Sequence, residues 1–348
     1  MTTKKSKTIK TKKLVETKPK PVETKNTVKA ETEVKKETKT PIIQNNQPKK
    51  THINIKEEIK NYLAERNNKV FIGNWKMNKK FDDIKSYFDH FNKLLKKDKI
   101  LKKMNNLIGI APTAIGLLPV AAMAKNGVMP VAQFVHHEKH GSYTGYISYD
   151  QVHEYNINYA IVGHSETRKK FKLNENDVNL VVKTLLENNM YPILCIGDTL
   201  EEYEAKQTEK SIIRQLLNNL KSIPPELIKN VIIAYEPIWA IGKKAATFDQ
   251  IQKMITFIRT KIEEMFDSET AKEVHIIYGG SVKVENAMEI LKVKGLDGLI
   301  VGGDSLNPES FYEIIISSQE YIHVNSIVNA KKIARENKKI AKEKSKKN

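Results

Sequence analysis

An acidic residue ends one of the most apolar runs in this chain. The run VIIAY is followed by Glu236 and is stopped at once by Pro237. If the end of such a strand is shielded from water, the carboxylate becomes a stronger base than it is in bulk solvent, because desolvation disfavours its charged form. A solvated strand end is the alternative, and it is the safer interpretation of this string taken alone.

Two other strand ends carry groups that complement a base. His164 follows the run YAIVG and precedes Ser165 and Glu166, which is a plausible helix start, and a helix N-terminus disfavours an imidazolium ion. A neutral imidazole can donate a hydrogen bond to a carbonyl oxygen, and the fixed cation of Lys76 can stabilise an oxyanion. These residue types together indicate proton abstraction beside a carbonyl group.

Glycines follow two further runs, in YGGSV (278–282) and VGG (301–303). They allow main-chain N–H groups to approach an anion closely, and a phosphate bound after the last two strands is common in parallel barrels. Taken singly, a lysine, a histidine or a glycine pair is more often structural than functional. Their joint placement at five strand ends favours a site for a small phosphorylated substrate.

Eight beta-rich runs alternate with helical stretches across the middle of the chain. The runs occupy 69–74, 107–112, 128–134, 159–164, 192–197, 231–236, 274–280 and 296–303. Between them, stretches such as NDVNLVVKTLLENN have apolar residues at helical spacing. This alternation over about 250 residues predicts a single α/β domain over 69–322, a closed parallel (β/α)8 barrel. An open sheet is the alternative, although its dinucleotide-binding version is weakened because no GxGxxG follows the first run.

Positive charge is concentrated at both ends of the chain. Residues 1–50 contain 15 lysines and 5 glutamates, and residues 323–348 contain 9 basic and 2 acidic residues. We predict disordered basic tails: a Lys-rich extension over 1–50, and a basic segment over 323–348 that is a helix or a frayed one. Residues 51–68 are a linker that could form a short amphipathic helix.

The tails raise the alternative of a binding protein. They could attach weakly to anionic partners such as nucleic acid or an acidic surface. Against a dedicated nucleic-acid function, both tails lack the aromatic side chains that stack on bases.

The remaining composition indicates a cytoplasmic protein. Cys195 is the single cysteine, so there is no intrachain disulfide, and this suits a reducing compartment. No apolar run approaches the length needed to span a bilayer, and no secretory signal follows the basic N-terminus.

Six strings give the chain a specific resemblance. FIGNWKMN, YAIVGHSE, CIGDTLEE, AYEPIWAIG, YGGSV and LDGLIVGGDSL, in this order and at these spacings, resemble triosephosphate isomerase from 69 to about 320. The resemblance implies a TIM barrel and a glycolytic and gluconeogenic enzyme. It would interconvert dihydroxyacetone phosphate and D-glyceraldehyde 3-phosphate without a metal or an organic cofactor.

The same resemblance implies the catalytic roles. Glu236 would move a proton between two carbons through an enediolate, and His164 would be the neutral electrophile. Lys76 would offset the enediolate and phosphate charge and, with Asn74, contact the substrate. Glu166 would pair with Lys76.

A phosphate site and a lid are implied as well. The segment PIWAIG would be the lid, with Pro237 and Trp239 at its first hinge. The phosphate would be held largely by main-chain N–H groups of Gly242, Ser281, Gly302 and Gly303.

The lid departs from the family pattern. After AIG the family continues with a Thr-Gly pair and a lysine before the next Ala-Thr, whereas this chain has only KKAA before Thr247. One residue and the second glycine are missing, so we expect a stiffer lid, with Lys243 and Lys244 adding positive charge. A phosphosugar-binding barrel that has lost isomerase activity is the alternative that this departure leaves open.

The expected dimer interface departs too. Tyr146 and Thr167 stand where the family has a glutamate and an arginine that pair near that interface. Both partners are replaced together, so no uncompensated charge is left in a desolvated interface. We still expect a homodimer, because Thr144 and the loop around it are kept. Asp304 replaces a small apolar residue and puts a negative charge near the phosphate glycines, for which the sequence offers no physical reason.

Overall fold

The structure, a computed structural model, describes residues 69–242 and 245–344. The predicted extension over 1–50, the linker over 51–68, Lys243 with Lys244, and residues 345–348 lie outside the described residues.

Eight parallel strands form the centre of the fold. Seven of the predicted runs contain one strand each, and β5 begins one residue before its run. The strands are β1 Val70–Asn74, β2 Leu107–Ala111, β3 Val128–Ala132, β4 Tyr159–Val162, β5 Tyr191–Ile196, β6 Ile232–Tyr235, β7 His275–Tyr278 and β8 Gly298–Val301. Each pairs with its neighbours along the chain, and β8 pairs with β1 in the register Val70↔Gly298. The barrel is therefore closed, and the open-sheet alternative is wrong.

Helices follow the strands along the chain. Among the described residues the α-helices are α1 Phe81–Lys97, α2 Leu117–Met123, α3 Tyr149–His153, α4 Ser165–Phe171, α5 Glu175–Glu187, α6 Leu200–Glu204, α7 Thr208–Asn219, α8 Pro225–Ile228, α9 Phe248–Met265, α10 Ser268–Glu273, α11 Val284–Ile290, α12 Pro308–Ile316 and α13 Gln319–Lys344. Single turns of 3₁₀ helix lie at Leu101–Lys103, Ala114–Gly116, Ile238–Ala240 and Gly303–Leu306.

Helix α5 shows how the sequence pattern gives this architecture. It begins after Asn174, whose side chain accepts hydrogen bonds from the N–H groups of Asn176 and Asp177 and so satisfies two of the free donors of the first turn. The apolar residues that recur at helical spacing, as predicted, are buried, whereas Leu180 is exposed. The buried residues are Val178, Val181, Val182, Leu185 and Leu186. This burial, more than intrinsic propensity, stabilises such a helix.

Helix α13 occupies much of the basic C-terminal segment. Of the two forms considered for 323–348, a helix is the one that the structure shows for 323–344. The helix begins at Gln319, before the boundary predicted from charge, and Val324 on its first turns is buried.

Side chains of β6 alternate between two cores. Ile232 and Ala234 belong to the cluster inside the barrel, whereas Ile233 and Tyr235 belong to the core between strands and helices. Because the side-chain period of a strand is two, the next interior position falls on Glu236. The alternation therefore directs this carboxylate into the mouth of the barrel.

Strand β1 repeats the same alternation. Val70 and Ile72 lie in the interior cluster, and Asn74 ends the strand at the next interior position. Lys76 follows two residues later, at the same C-terminal rim where barrel enzymes place their sites.

Along the described residues, the structure contains no helix with the length and apolar character that crossing a membrane requires.

Candidate active site

A cavity of about 320 Å³ opens at the C-terminal rim of the barrel. Eight of the nine residues proposed from the sequence line it, and the ninth, Glu166, contacts one of them. The eight come from the end of β1 and from the loops after β1, β4, β6, β7 and β8: Asn74, Lys76, His164, Glu236, Gly242, Ser281, Gly302 and Gly303. The strand order thus brings together residues spread over more than two hundred positions of sequence.

Glu236 is enclosed at the floor of the cavity and is only 3% exposed. Among the described residues, no hydrogen-bond partner reaches its Oε2, which lies 3.5 Å from Nε2 of His164. Burial raises the pKa of Glu236, against the opposing charges of His164 and Lys76. Gly279 makes room for the side chain, since a Cβ there would lie 2.6 Å from Cγ of Glu236. The carboxylate is therefore desolvated, and the alternative of a solvated strand end is wrong.

His164 is oriented by the start of helix α4. Its Nδ1 accepts a hydrogen bond of 3.2 Å from the N–H of Glu166, as an N-cap residue does. A ring nitrogen that accepts an N–H carries no proton, so in the neutral ring the hydrogen sits on Nε2. That nitrogen faces Glu236 and the cavity, where it can donate to a substrate oxygen.

Lys76 is held in the loop after β1. Its backbone has φ 51°, in the left-handed region that is uncommon for a residue with a side chain. Two hydrogen bonds fix this conformation: its N–H donates to Oδ1 of Asn74 at 3.0 Å, and its carbonyl accepts from Nε2 of Gln133 at 2.8 Å. The ammonium group is thereby aimed at the cavity by the main chain.

Glu166 pairs with this ammonium group. Nζ of Lys76 donates to Oε1 of Glu166 at 2.8 Å. Burial alone would raise the pKa of Glu166, but the hydrogen bond and charge of Lys76 outweigh it and lower that pKa. The pair keeps Lys76 in place at the edge of the cavity.

Main-chain groups form the opposite side of the cavity. Gly302 and Gly303 follow β8, and Nε1 of Trp75 anchors their loop by donating to the carbonyl of Ser305 at 3.0 Å. Ser281 follows β7, and Gly242 faces the same space from the segment after β6. Backbone N–H groups in short loops of this kind suit an anion such as phosphate.

The segment after β6 is tied down by Asp198, a residue to which the sequence analysis gave no role. The carbonyl of Asp198 accepts from the N–H of Ile238 at 3.0 Å, and its Oδ2 accepts from Nε1 of Trp239 at 3.2 Å. Tyr203 stacks on the Trp239 ring with centroids 4.3 Å apart. The string CIGDTLEE contained the signal, since both Asp198 and Tyr203 lie in or just after it.

Three further cavity or support residues were missed. Asn78 and Lys283 line the cavity, and Gln133 holds the Lys76 loop from the end of β3. Asn78 ends the string FIGNWKMN, Gln133 lies in the predicted run 128–134, and Lys283 directly follows YGGSV. Their side-chain types alone do not separate them from ordinary surface residues.

Comparison with known proteins agrees with this geometry. A sequence model described as triosephosphate isomerase matches residues 69–318. The protein named triosephosphate isomerase from Mycoplasmoides gallisepticum (strain R(low / passage 15 / clone 2)) is 40% identical over 248 residues, which cover 71% of this chain and 97% of that protein. The triosephosphate isomerase of Mesomycoplasma hyorhinis is 42% identical over 253 residues, 71% of this chain and 97% of its own. A third, from Alkaliphilus oremlandii (strain OhILAs), is 40% identical over 247 residues and is covered to 98%.

The chain belongs to the triosephosphate isomerase family. The structure gives a physical reason for one residue that departs from the family pattern, Asp304. Oδ2 of Asp304 accepts a hydrogen bond of 3.2 Å from the N–H of Val284, the first residue of α11. The unexplained carboxylate therefore satisfies a free donor at a helix start.

Tyr146 and Thr167 also depart from the triosephosphate isomerase family pattern, and in this structure both make local contacts. The Thr167 hydroxyl donates to the carbonyl of His164 at 2.8 Å, within its own helix start. Tyr146 packs near Phe134, with ring centroids 5.8 Å apart, and Phe134 in turn contacts Phe171 at 5.3 Å. An aromatic cluster thus stands beside Tyr146, where the family has an acidic residue.

Proposed function

We propose that this protein is a triosephosphate isomerase, interconverting dihydroxyacetone phosphate and D-glyceraldehyde 3-phosphate by proton transfer. The observation that carries the proposal is the buried, unpartnered Oε2 of Glu236, 3.5 Å from Nε2 of His164 in a cavity that Lys76 also lines. Family membership supplies the substrate class, since the relatives carry the name of this enzyme.

In the proposed reaction, Glu236 removes a proton from the carbon beside the carbonyl group. The electron pair of that C–H bond forms the carbon–carbon double bond of an enediolate, and the carbonyl oxygen takes up the displaced charge. His164 donates from Nε2 to this oxygen, and Lys76 stabilises the negative charge. His164 passes its Nε2 proton to this oxygen and takes up the proton of the neighbouring hydroxyl group. The oxygen of that hydroxyl group becomes the new carbonyl oxygen as Glu236 returns its proton to the carbon that first carried the carbonyl group. The protons and electrons therefore balance without a redox partner.

Each residue has a reason to act in this way. The raised pKa of Glu236 makes it a stronger base than a solvated glutamate. A neutral histidine polarises the carbonyl without adding a second charge that would pair with the base. Lys76 keeps its charge close to the cavity through Glu166.

The segment Pro237 to Gly242 is proposed to act as the lid over the phosphate. It follows β6 directly, contains one turn of 3₁₀ helix at Ile238–Ala240, and has Gly242 at φ 67° facing the cavity. Excluding water strengthens the electrostatic interactions and protects the enediolate phosphate from losing its phosphate group.

The decisive experiment is a coupled isomerase assay on the purified full-length protein and on Glu236→Gln. We expect the wild type to turn over D-glyceraldehyde 3-phosphate and the variant to lose about 10²- to 10⁴-fold or more in kcat, because the amide cannot accept the proton. Glu263→Gln, an exposed glutamate on α9, is the matched control and should keep full activity. Near-normal turnover in Glu236→Gln would refute the base assignment.

We also propose that the protein acts as a homodimer. An apolar groove of about 500 Å³ lies beside the active-site cavity and is lined by residues that include Met77, Thr144, Tyr146 and Phe171. The Met77 side chain is 90% exposed, which is a large apolar surface to leave in water. Sedimentation of the assay preparation tests this proposal, and a particle of one-chain mass at full activity would contradict it.

A further inference from the structure

A carboxylate lines the phosphate side of the proposed cavity. Asp304 belongs to the 3₁₀ turn Gly303–Leu306 after β8, and it lines the same space as Ser281 and Gly302. Judged by its charge alone, this residue should weaken the binding of a phosphate dianion, because like charges repel. Any favourable effect of Asp304 on phosphate binding must therefore come from the contacts that its side chain makes.

The hydrogen bond from Val284 provides that contact. It runs from the first residue of α11, where the loop after β7 ends, to the loop after β8, joining the N–H of Val284 to Oδ2 of Asp304 at 3.2 Å. These are the two loops whose main-chain N–H groups must converge if Ser281 and Gly302 are to bind one phosphate. The carboxylate is thus a link between the two halves of the proposed anion site.

The loop after β7 is strained and is held from several sides. Ser281 has φ 38°, a conformation that costs free energy in a residue with a side chain and persists only where its surroundings impose it. Its Oγ donates to the carbonyl of Ala240 at 2.7 Å, and its carbonyl accepts from Nδ2 of Asn286 at 3.0 Å. The first contact comes from the lid segment and the second from α11, while Asp304 holds the loop from the β8 side.

We propose that Asp304 is a positioning residue of the phosphate site. Through the N–H of Val284 it holds the loop after β7 against the loop after β8, so that the N–H groups of Ser281 and Gly302 converge on one phosphate. The gain in binding from this positioning exceeds the loss from repulsion. The inference rests on the proposed function, because it assumes that phosphate occupies this side of the cavity.

Two substitutions separate positioning from charge. Asp304→Asn and Asp304→Ala both remove the negative charge, but only asparagine keeps an oxygen that can accept from Val284. We expect KM for D-glyceraldehyde 3-phosphate to be about 3- to 10-fold higher in the alanine variant than in the asparagine variant, the range of one lost hydrogen bond. We expect kcat to stay within about twofold, because the interaction acts on ground state and transition state alike.

A matched control removes a helix cap far from the cavity. Asn174→Ala deletes the side chain that accepts from Asn176 and Asp177 at the start of α5, and it should leave KM unchanged. A KM for Asp304→Ala that is equal to or below that of Asp304→Asn would overturn the proposal, as would an equal rise in KM for Asn174→Ala.

Binding of inorganic phosphate, titrated by phosphorus NMR, gives a readout that needs no turnover. We expect the same order, with Asp304→Asn binding phosphate about 3- to 10-fold more tightly than Asp304→Ala. If the wild type shows no isomerase activity, the proposed function fails, yet this order still tests the role of Asp304. If thermal unfolding shows that Asp304→Ala does not fold, Asp304→Ser takes its place in the comparison, and equal phosphate affinities then overturn the proposal.

Discussion

The two sides of the cavity differ in the kind of group that faces it: side chains on one side, and mainly backbone groups on the other. On the side formed by the ends of β1, β4 and β6, the groups facing the cavity include the titratable side chains of Lys76, His164 and Glu236. On the side formed by the segment Pro237 to Gly242 and the loops after β7 and β8, they are largely main-chain groups near Gly242, Ser281 and Gly302. The first side depends on which residues are present, and the second on how the backbone is held. Substitutions should therefore have large effects on the first side and graded ones on the second.

Replacing Lys76 tests the side-chain half of this comparison. Lys76→Met removes the ammonium group and keeps a similar length of apolar chain, so kcat/KM should fall by about 10²- to 10³-fold, as when one oxyanion-stabilising donor is lost. Lys79→Met is the matched control. Lys79 also has a positive φ, of 69°, but its Nζ lies over the Trp75 ring, 5.2 Å from the centroid, and does not line the cavity. Equal losses in steady-state kinetics of the two variants would show that charge near the loop matters, and not the placement of Lys76.

A change in the lid anchor tests the main-chain half. Trp239→Phe removes the donor to Asp198 but keeps an aromatic ring that can stack on Tyr203. Loss of one hydrogen bond of about 1 kcal/mol corresponds to about a 3- to 10-fold fall in kcat/KM, measured in the coupled assay.

The control for this change alters Tyr203, the other ring of the Trp239–Tyr203 stack. Tyr203→Phe keeps the ring and removes only the hydroxyl group that accepts from Gln250, so its activity should stay near that of the wild type. If Trp239→Phe and Tyr203→Phe behaved alike, the bond to Asp198 would have no part in holding the lid.

The same division explains what could be read from the sequence. The eight strands, and the catalytic candidates at their ends, were predictable because strand periodicity and residue type report directly on where a side chain points and what it can do. Glu236 is the example, since two-residue alternation along β6 places it in the barrel mouth.

The residues that hold backbone in place were not predictable in this way. Asp198 and Asp304 act through hydrogen bonds to groups 41 and 20 positions away in the sequence. A carboxylate in a loop has the same appearance in sequence whether it accepts from a distant N–H or faces water. The positive φ of Lys76 and Ser281 was equally hidden, because it is imposed by tertiary contacts and opposes the local preference of the residue.

The smallest expected effect concerns stability, and it comes from the side-chain half of the cavity. Glu236 has a pKa raised by burial, so in the folded protein it binds its proton more tightly than in the unfolded chain. Stability then falls as pH rises from the ordinary glutamate pKa, near 4.5, through the folded value, because the folded state binds more protons over that range. Below pH 4.5 Glu236 is protonated in both the folded and the unfolded state, so its raised pKa no longer destabilises the fold.

Glu236→Gln removes this dependence. An amide changes the local hydrogen bonds, but that change is the same at every pH. We therefore expect the free energy of unfolding of the variant, minus that of the wild type, to increase as pH rises from 4 to 8 in urea titrations. A difference that stays level over this range would mean that the wild-type carboxylate is not destabilised by its surroundings, and the cost of a desolvated base would have to be sought elsewhere. An increase would show that the ionised Glu236 carboxylate lowers the free energy of unfolding. A solvated glutamate at this position would destabilise the fold less, but it would also be a weaker base.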